Sequence, residues 1–240
     1  MLSSAEIKRI RSLNQKKFRE SLGLFTVEGE KLVSEAVSSD FEVVDIYRLE
    51  DIGKEAMSRI SSFTNPSPVL AVVRIPASFR ESSDTVPDKG LFLALDSIRD
   101  PGNLGTIIRT ADWFGIDGIY ASLDTVDIFN PKVVQATMGS VFRVPFCYAD
   151  LTVICRKAIS LNGRTYGTFL DGNDLFSSDL DKGETAPSII IIGNESRGIS
   201  APVAAEVSDR LLIPRTAGRK SESLNASVAA AITMCEFRRS

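Results

Sequence analysis

The sequence predicts an α/β protein in two parts: a small N-terminal domain over residues 1–80 and a larger domain built on a parallel sheet over residues 91–240, joined by a linker at 81–90. Three observations carry this. From Leu91 onward, short apolar stretches alternate with helical ones, the order that generates βα units. Ile189–Ile192 is an unbroken apolar run, as expected of a strand covered on both faces. Residues 75–90, IPASFRESSDTVPDKG, carry two prolines and three serines and show no periodicity, so they connect domains rather than form an element.

Taken in order, residues 4–20 have helical character with a basic face. Phe25–Val27 is a short apolar stretch, and Glu28–Val37 reads as a helix. Phe41–Arg48 and Val69–Arg74 are rich in Val, Ile and Tyr and read as strands, with a further helix at Lys54–Ser61 between them. In the second part, LFLALD (91–96), GIYAS (118–122), VPFCY (144–148), TYGTFL (165–170), SIIIIG (188–193) and RLLIP (210–214) read as strands. The helix near Thr106–Phe114 places Ile107, Ala111 and Phe114 on one stripe and Arg109 on the opposite side. Asn130 caps a helix that starts with Pro131, and an alanine-rich helix, Leu224–Phe237, closes the chain.

Composition narrows the function classes. Hydrophobic residues are 43% and charged residues 25%, an ordinary globular balance. No apolar run approaches the roughly 18 residues a membrane span requires, and the N-terminus lacks the apolar core of a signal peptide. The expectation is a cytoplasmic protein with no membrane association. The three cysteines make no CxxC pattern and the chain has no histidine, so no metal site is expected. A net charge of −3 argues against a generally basic nucleic-acid coat. The charge is unevenly placed, however. Lys8, Arg9, Arg11, Lys16, Lys17 and Arg19 outnumber Glu6 and Glu20, and Arg215, Arg219 and Lys220 form a second cluster. Such patches either bind phosphates or are simply solvated faces.

Ligands of open parallel sheets bind beyond the carboxyl ends of the strands. Three polar segments stand there. In LDSIRDPGNLGTIIRTADWFG (95–115), a strand ends at Asp96, a turn follows, and Arg109 projects from the first turns of a helix. Arg109 could be a site residue or a surface cation paired with Asp112; Asn103 could be a site residue or only a cap. The second segment is Gly193-Asn194-Glu195-Ser196-Arg197-Gly198, whose glycines allow close backbone approach to a ligand. GxGxxG and GxxxxGK[ST] are both missing, which disfavours a pyrophosphate cradle and a nucleotide-dependent oxidoreductase. The third runs from Ile213 through a basic loop to Ser223-Leu224-Asn225 and a helix rich in small residues.

N-x5-R-T at Asn103–Thr110, G-N-E-x-x-G at Gly193–Gly198 and S-L-N-A-S-V-A at Ser223–Ala229 occur in that order. Together they resemble the SpoU (TrmH-like) RNA 2′-O-ribose methyltransferases of the SPOUT superfamily. The N-terminal stretch SLNQKKFRESLGLFTVEGEKLVSEAV resembles that family's small substrate-binding domain of ribosomal-protein-like α/β fold. The resemblance implies a deep trefoil knot in the parallel-sheet domain, a topology general rules would not anticipate. It also implies S-adenosylmethionine as cofactor and a homodimer with active sites near the subunit interface. Carried over by motif position, the catalytic group is Asn103, Arg109, Glu195, Ser223 and Asn225, and the cofactor contacts are Gly193, Ile213, Leu224, Thr168 and Asn194. The RNA-binding residues expected from charge are Lys16, Lys17, Arg19, Arg219 and Lys220. RTAGRKSE (215–222) is longer than the family pattern, which leaves cofactor contacts in that stretch open.

The implied activity is methylation of a ribose 2′-hydroxyl in structured RNA. Relatives with this accessory domain generally modify large-subunit rRNA; tRNA and a non-catalytic assembly factor are the alternatives. Without histidine the usual general base is missing, which leaves Arg109, Glu195 or a phosphate of the RNA itself as candidates. Arg109 could give up a proton transiently, or it could remain cationic, orient the ribose and stabilise developing alkoxide charge. The second is favoured because a guanidinium keeps its proton in almost every protein setting.

Overall fold

The computed structural model describes residues 2–79, 84–216, 218 and 223–239. They form two compact units. One comprises residues 1–80 with 127–143, the other 81–126 with 144–240.

The first unit holds a three-stranded antiparallel sheet. Its strands are β1 (Leu24–Glu28), β2 (Val43–Arg48) and β3 (Val69–Arg74), in the order β1-β3-β2. The basic helix expected over 4–20 is two helices, α1 (Ser4–Ser12) and α2 (Lys16–Leu22). A turn at 13–15 separates them, and both Ile10 and Leu13 are completely or almost completely buried at that junction. α1 begins at a capping box: the Ser3 hydroxyl accepts from the Glu6 amide while the Glu6 carboxylate accepts from the Ser3 amide. Glu28, expected to open a helix, is instead the buried last residue of β1, and α3 runs Glu30–Val37. α4 (Leu49–Ile60) is broken at Gly53, whose φ of 79° no helix accommodates.

Two features of this unit were not foreseen. The first is the segment 127–143, which sequence places inside the second domain. Its helix α6 (Pro131–Thr137) packs against β1, and Phe129 and Phe142 join Phe25, Phe41 and Phe79 in one aromatic cluster. The Phe25 and Phe129 ring centroids are 4.5 Å apart. Each such ring pair adds about 0.5–1.5 kcal/mol beyond the area it buries. The second is Arg19. Sequence marks it as an RNA contact, but it is 2% exposed. Its Nε donates to Asp127 at 2.9 Å and its Nη1 to the Leu13 carbonyl at 2.7 Å. A guanidinium so enclosed has no donor to offer a phosphate, and the RNA-binding assignment for Arg19 is withdrawn. Arg19→Ala should therefore act on stability. Removing one partner strands a largely buried carboxylate, a loss of about 3–5 kcal/mol in comparable pairs. Thermal unfolding of the variant checks this; an unchanged Tm would contradict it.

Glu28 supplies a second stability probe. Its carboxylate accepts from the Ser61 hydroxyl and the Ser62 amide, both at 2.7 Å. Burial outweighs these bonds and raises its pKa above the usual 4.5. The folded chain thus holds that proton more tightly than the unfolded chain. The stabilisation is present at low pH and is lost as pH rises through the raised value. Glu28→Gln, which keeps an acceptor and cannot ionise, should gain Tm relative to wild type as pH climbs from 4.5 toward neutrality. A Tm difference that is the same at every pH would refute this.

The second unit is a six-stranded parallel sheet in the order β6-β5-β4-β8-β7-β9. Its strands are β4 (Gly90–Leu95), β5 (Gly118–Ala121), β6 (Phe146–Tyr148), β7 (Arg164–Asp174), β8 (Pro187–Ile192) and β9 (Asp209–Leu212). Every residue of β8 is buried, which explains its unbroken apolar sequence. Helices α5 (Pro101–Trp113), α7 (Leu151–Ser160), α8 (Ala201–Ala204) and α9 (Ala226–Arg238) complete the unit, and α9 packs on α5 and β8. β7 is longer than expected: both Thr168 and Asn173 pair with Leu211, so residues 169–172 bulge out of the ladder.

Candidate active site

Gly193 just after β8 and Ile213 just after β9 stand at the carboxyl ends of their strands, and Thr168 lies between them on β7, one residue past its last pair with β8, Gly167 with Ile191, where the bulge begins. Thr168 pairs with Leu211 in register, and its hydroxyl donates to the Ile191 carbonyl at 3.4 Å. This is the end of a parallel sheet where ligands bind.

The turn after β8 is tightly built. Asn194 and Gly198 exchange backbone hydrogen bonds of 3.0 and 2.8 Å, closing the five-residue reversal. The Asn194 side chain serves both directions. Its Oδ1 accepts from the Ser196 and Arg197 amides at 2.9 and 3.2 Å, and its Nδ2 donates to the Ser97 carbonyl at 2.9 Å. At the far end, the Ser200 amide donates to the Asp96 carboxylate at 2.6 Å. Asp96 is 4% exposed and directly follows β4. Gly193 is required sterically: a Cβ there would lie 2.3 Å from the Gly198 carbonyl carbon and 2.4 Å from the Ile199 nitrogen.

The turn presents Glu195 to the other two motifs. Asn103 Nδ2 donates to Glu195 Oε1 at 2.5 Å, and Asn225 Nδ2 donates to Asn103 Oδ1 at 2.9 Å. Residues 92 and 122 positions apart in sequence are thereby linked in one chain of hydrogen bonds. Each arrives through a cap. Asp100, not Asn103, is the N-cap of α5; its Oδ1 accepts from the Asn103 amide at 2.8 Å, and Pro101 fills the first helical position. The Asn103 side chain is therefore released for Glu195, and the reading of Asn103 as only a cap is set aside. Asn225 caps α9 with its Oδ1, which accepts from the Ser227 amide at 2.9 Å, while its Nδ2 reaches Asn103.

Arg109 lies six residues beyond Asn103 on α5 and is exposed. Among the described residues it makes no hydrogen bond or ion pair, so the pairing with Asp112 weighed from sequence is not made. Ser223 and Leu224 lead into α9 and are both exposed. Leu224 shows 44% of its surface, an apolar side chain uncovered beside a polar cluster. Half-buried Ile213 adds a second apolar wall at the strand ends. Among the described residues no cluster of three or more His, Cys, Asp or Glu side chains is placed to hold a metal ion. Arg219 and Lys220 lie outside the described residues. Lys16 and Lys17 are exposed, the first 3.7 Å from Glu20 and the second with its ammonium 4.8 Å from the Phe18 ring centroid. Sequence reasoning missed the roles of Asp96 and Ser97. Asp96 was legible only as a strand end, and nothing in the sequence indicates that Ser97 would offer its carbonyl to the turn.

Residues 90–235 match the SpoU rRNA Methylase family, and residues 4–74 match the MRM3-like substrate binding domain. Over 248 residues the chain is 29% identical to the 23S rRNA (guanosine(2553)-2′-O)-methyltransferase RlmP of Bacillus subtilis (strain 168), covering 97% of this chain and 96% of that protein. A TrmH-family protein from Porphyromonas gingivalis is 38% identical and superposes with a TM-score of 0.87 over 99% of this chain and 98% of its own. The AdoMet-bound rRNA methyltransferase from Sinorhizobium meliloti is 31% identical, with a TM-score of 0.85 over 99% of this chain and 95% of its own.

Proposed function

The chain belongs to the SpoU rRNA methylase family, and from that premise we propose that it transfers a methyl group from S-adenosylmethionine to a ribose 2′-hydroxyl of large-subunit rRNA. The observation that carries this reading is the hydrogen-bonded chain Glu195–Asn103–Asn225 at the carboxyl end of the sheet. When bound, the cofactor would supply an electrophilic methyl whose thioether leaving group needs no metal. The residues present suit such a group. Ile213 and uncovered Leu224 offer apolar surface to a purine, and the turn from Gly193 brings backbone groups close. Glu195 tolerates a nearby positive charge where it would repel a triphosphate.

The protein's own task is the nucleophile. Arg109, exposed and unpaired among the described residues, is the cation available to a ribose and its phosphate. In this reading it stabilises charge developing on the 2′-oxygen as the hydroxyl's proton passes to Glu195 or to a phosphate oxygen of the RNA. Asn103, held by Glu195 and Asn225, orients the sugar, and Ser223 contributes a further hydroxyl. Aligning the hydroxyl with the methyl accounts for much of the acceleration; positioning of this kind is worth roughly 7–11 kcal/mol in model systems.

Three further elements belong to the proposal. The expected trefoil knot has α9 as its threading segment. A homodimer is supported by the apolar groups these helices leave uncovered: Trp113 on α5 is 84% exposed and Val228 on α9 is 46% exposed. RNA contacts are assigned to Lys16 and Lys17, in a reducing cytoplasm where Cys147, Cys155 and Cys235 form no disulfide. Mapping 2′-O-methyl groups in total RNA with and without the gene tests the function. The expected outcome is loss of one rRNA methyl group. A loss confined to tRNA would replace the substrate, and an unchanged map would overturn the activity.

A further inference from the structure

Ser97 is one of only three non-glycine residues at positive φ among those described, with φ of 59°. Left-handed backbone costs an ordinary side chain energy, so a serine there must be held. Its amide donates to the Ser122 hydroxyl at 2.8 Å, and its own hydroxyl donates to Asp124 Oδ2 at 2.6 Å. Asp124 is itself fixed, accepting from Arg99 Nη2 at 3.0 Å and from the Ser122 hydroxyl at 2.8 Å. These bonds, that from Ser97 foremost, hold its pKa down to about 2, so it is ionised throughout the physiological range. The conformation directs the Ser97 carbonyl toward Asn194 Nδ2, and Asn194 organises the turn carrying Glu195. A loop with no motif, 122–125 after β5, thus buttresses the turn after β8.

We propose that Asp124 is a positioning residue for the cofactor turn, acting through the left-handed Ser97. Asp124 does not touch the reacting atoms. It fixes the Ser97 hydroxyl directly and, less directly, the Ser97 amide through Ser122; both hold the carbonyl to which Asn194 donates. The inference rests on the reading of Gly193–Gly198 as the turn that receives S-adenosylmethionine.

Five full-length proteins test it by calorimetric titration with S-adenosylmethionine, each with its thermal unfolding recorded: wild type, Asp124→Ala, Asp124→Asn, Ser97→Gly and the double variant Ser97→Gly/Asp124→Ala. Asp124→Ala should raise the Kd about tenfold, the scale of one hydrogen bond to a charged group. Asp124→Asn retains an acceptor for Ser97 and should raise it only about threefold. Glycine adopts positive φ freely. In the Ser97→Gly background the direct hydroxyl link is gone and only the indirect one through Ser122 remains, so adding Asp124→Ala should change Kd by less than about threefold, well short of its effect alone. This non-additivity is the mark of action through Ser97, and a general structural role for Asp124 would not produce it. If Asp124→Ala does not fold, Asp124→Asn compared with Ser97→Gly/Asp124→Asn carries the same comparison. An Asp124→Ala Kd equal to that of wild type, or effects that add in the double variant, would overturn the inference while leaving the reading of the turn intact. A wild-type chain that does not bind S-adenosylmethionine would overturn that reading and the inference together.

Discussion

Arg109→Ala should lower single-turnover methyl transfer by roughly 10²–10³-fold, the loss seen when one preorganised donor to a developing oxyanion is removed. Its Kd for S-adenosylmethionine should remain within a factor of about two of wild type, because a group acting on the transition state affects rate and not ground-state binding. The separation follows from where Arg109 stands. It projects from α5 into solvent and, among the described residues, shares no hydrogen bond with Gly193, Asn194 or Leu224. Its removal also leaves no buried partner behind, so folding should be unaffected. Calorimetry with the cofactor and transfer of a labelled methyl group to rRNA read the two quantities separately. Near-wild-type turnover would remove Arg109 from the mechanism. Arg109→Lys keeps the charge but lacks the planar fork; if orientation matters as well as charge, this variant recovers only part of the rate.

The second large effect is expected at Gly193. In Gly193→Ala the new methyl would meet backbone atoms of Gly198 and Ile199 at 2.3–2.6 Å. Backbone cannot rotate aside as a side chain does, so the Asn194–Gly198 pairing must open. Overpacking of this kind costs about 1–3 kcal/mol, which translates to roughly 5–150-fold in affinity for S-adenosylmethionine. Gly198→Ala is the control within the same turn. A Cβ there meets no atom within 4 Å, and the only penalty is its φ of 69°. The two alanines should therefore separate steric opening of the turn from backbone strain. Equal cofactor affinity for wild type and Gly193→Ala would contradict the close packing of this loop.

How much of this was legible from sequence depended on whether the signal was local. The Ile189–Ile192 run announces a strand buried on both faces, and β8 is one. The three motifs at strand ends announce a site, and Asn103, Glu195 and Asn225 do meet. Failures arose where one residue's role is set by another far away in the chain. Arg19 looks like its basic neighbours Lys16 and Lys17, and only Asp127, 108 residues on, makes it a buried structural cation. Asp100 and Asn103 are both good cap residues, and local chemistry could not say which of them caps α5. Ser97 has no turn signature, because its left-handed conformation is imposed by Ser122 and Asp124. The strand order β6-β5-β4-β8-β7-β9 is likewise a property of pairing between distant segments.

The membership of residues 127–143 in the first unit bears on how such proteins can be recombined. Exchanging substrate specificity by swapping the N-terminal 1–80 segment alone would transplant an incomplete module. Phe25, Phe41 and Phe79 would meet foreign residues where Phe129 and Phe142 belong, and Arg19 would lose its carboxylate. A chimaera that also carries 127–143 transplants the whole packing unit. By the same logic, lineages that retarget this scaffold would have to change two separate stretches of gene in concert.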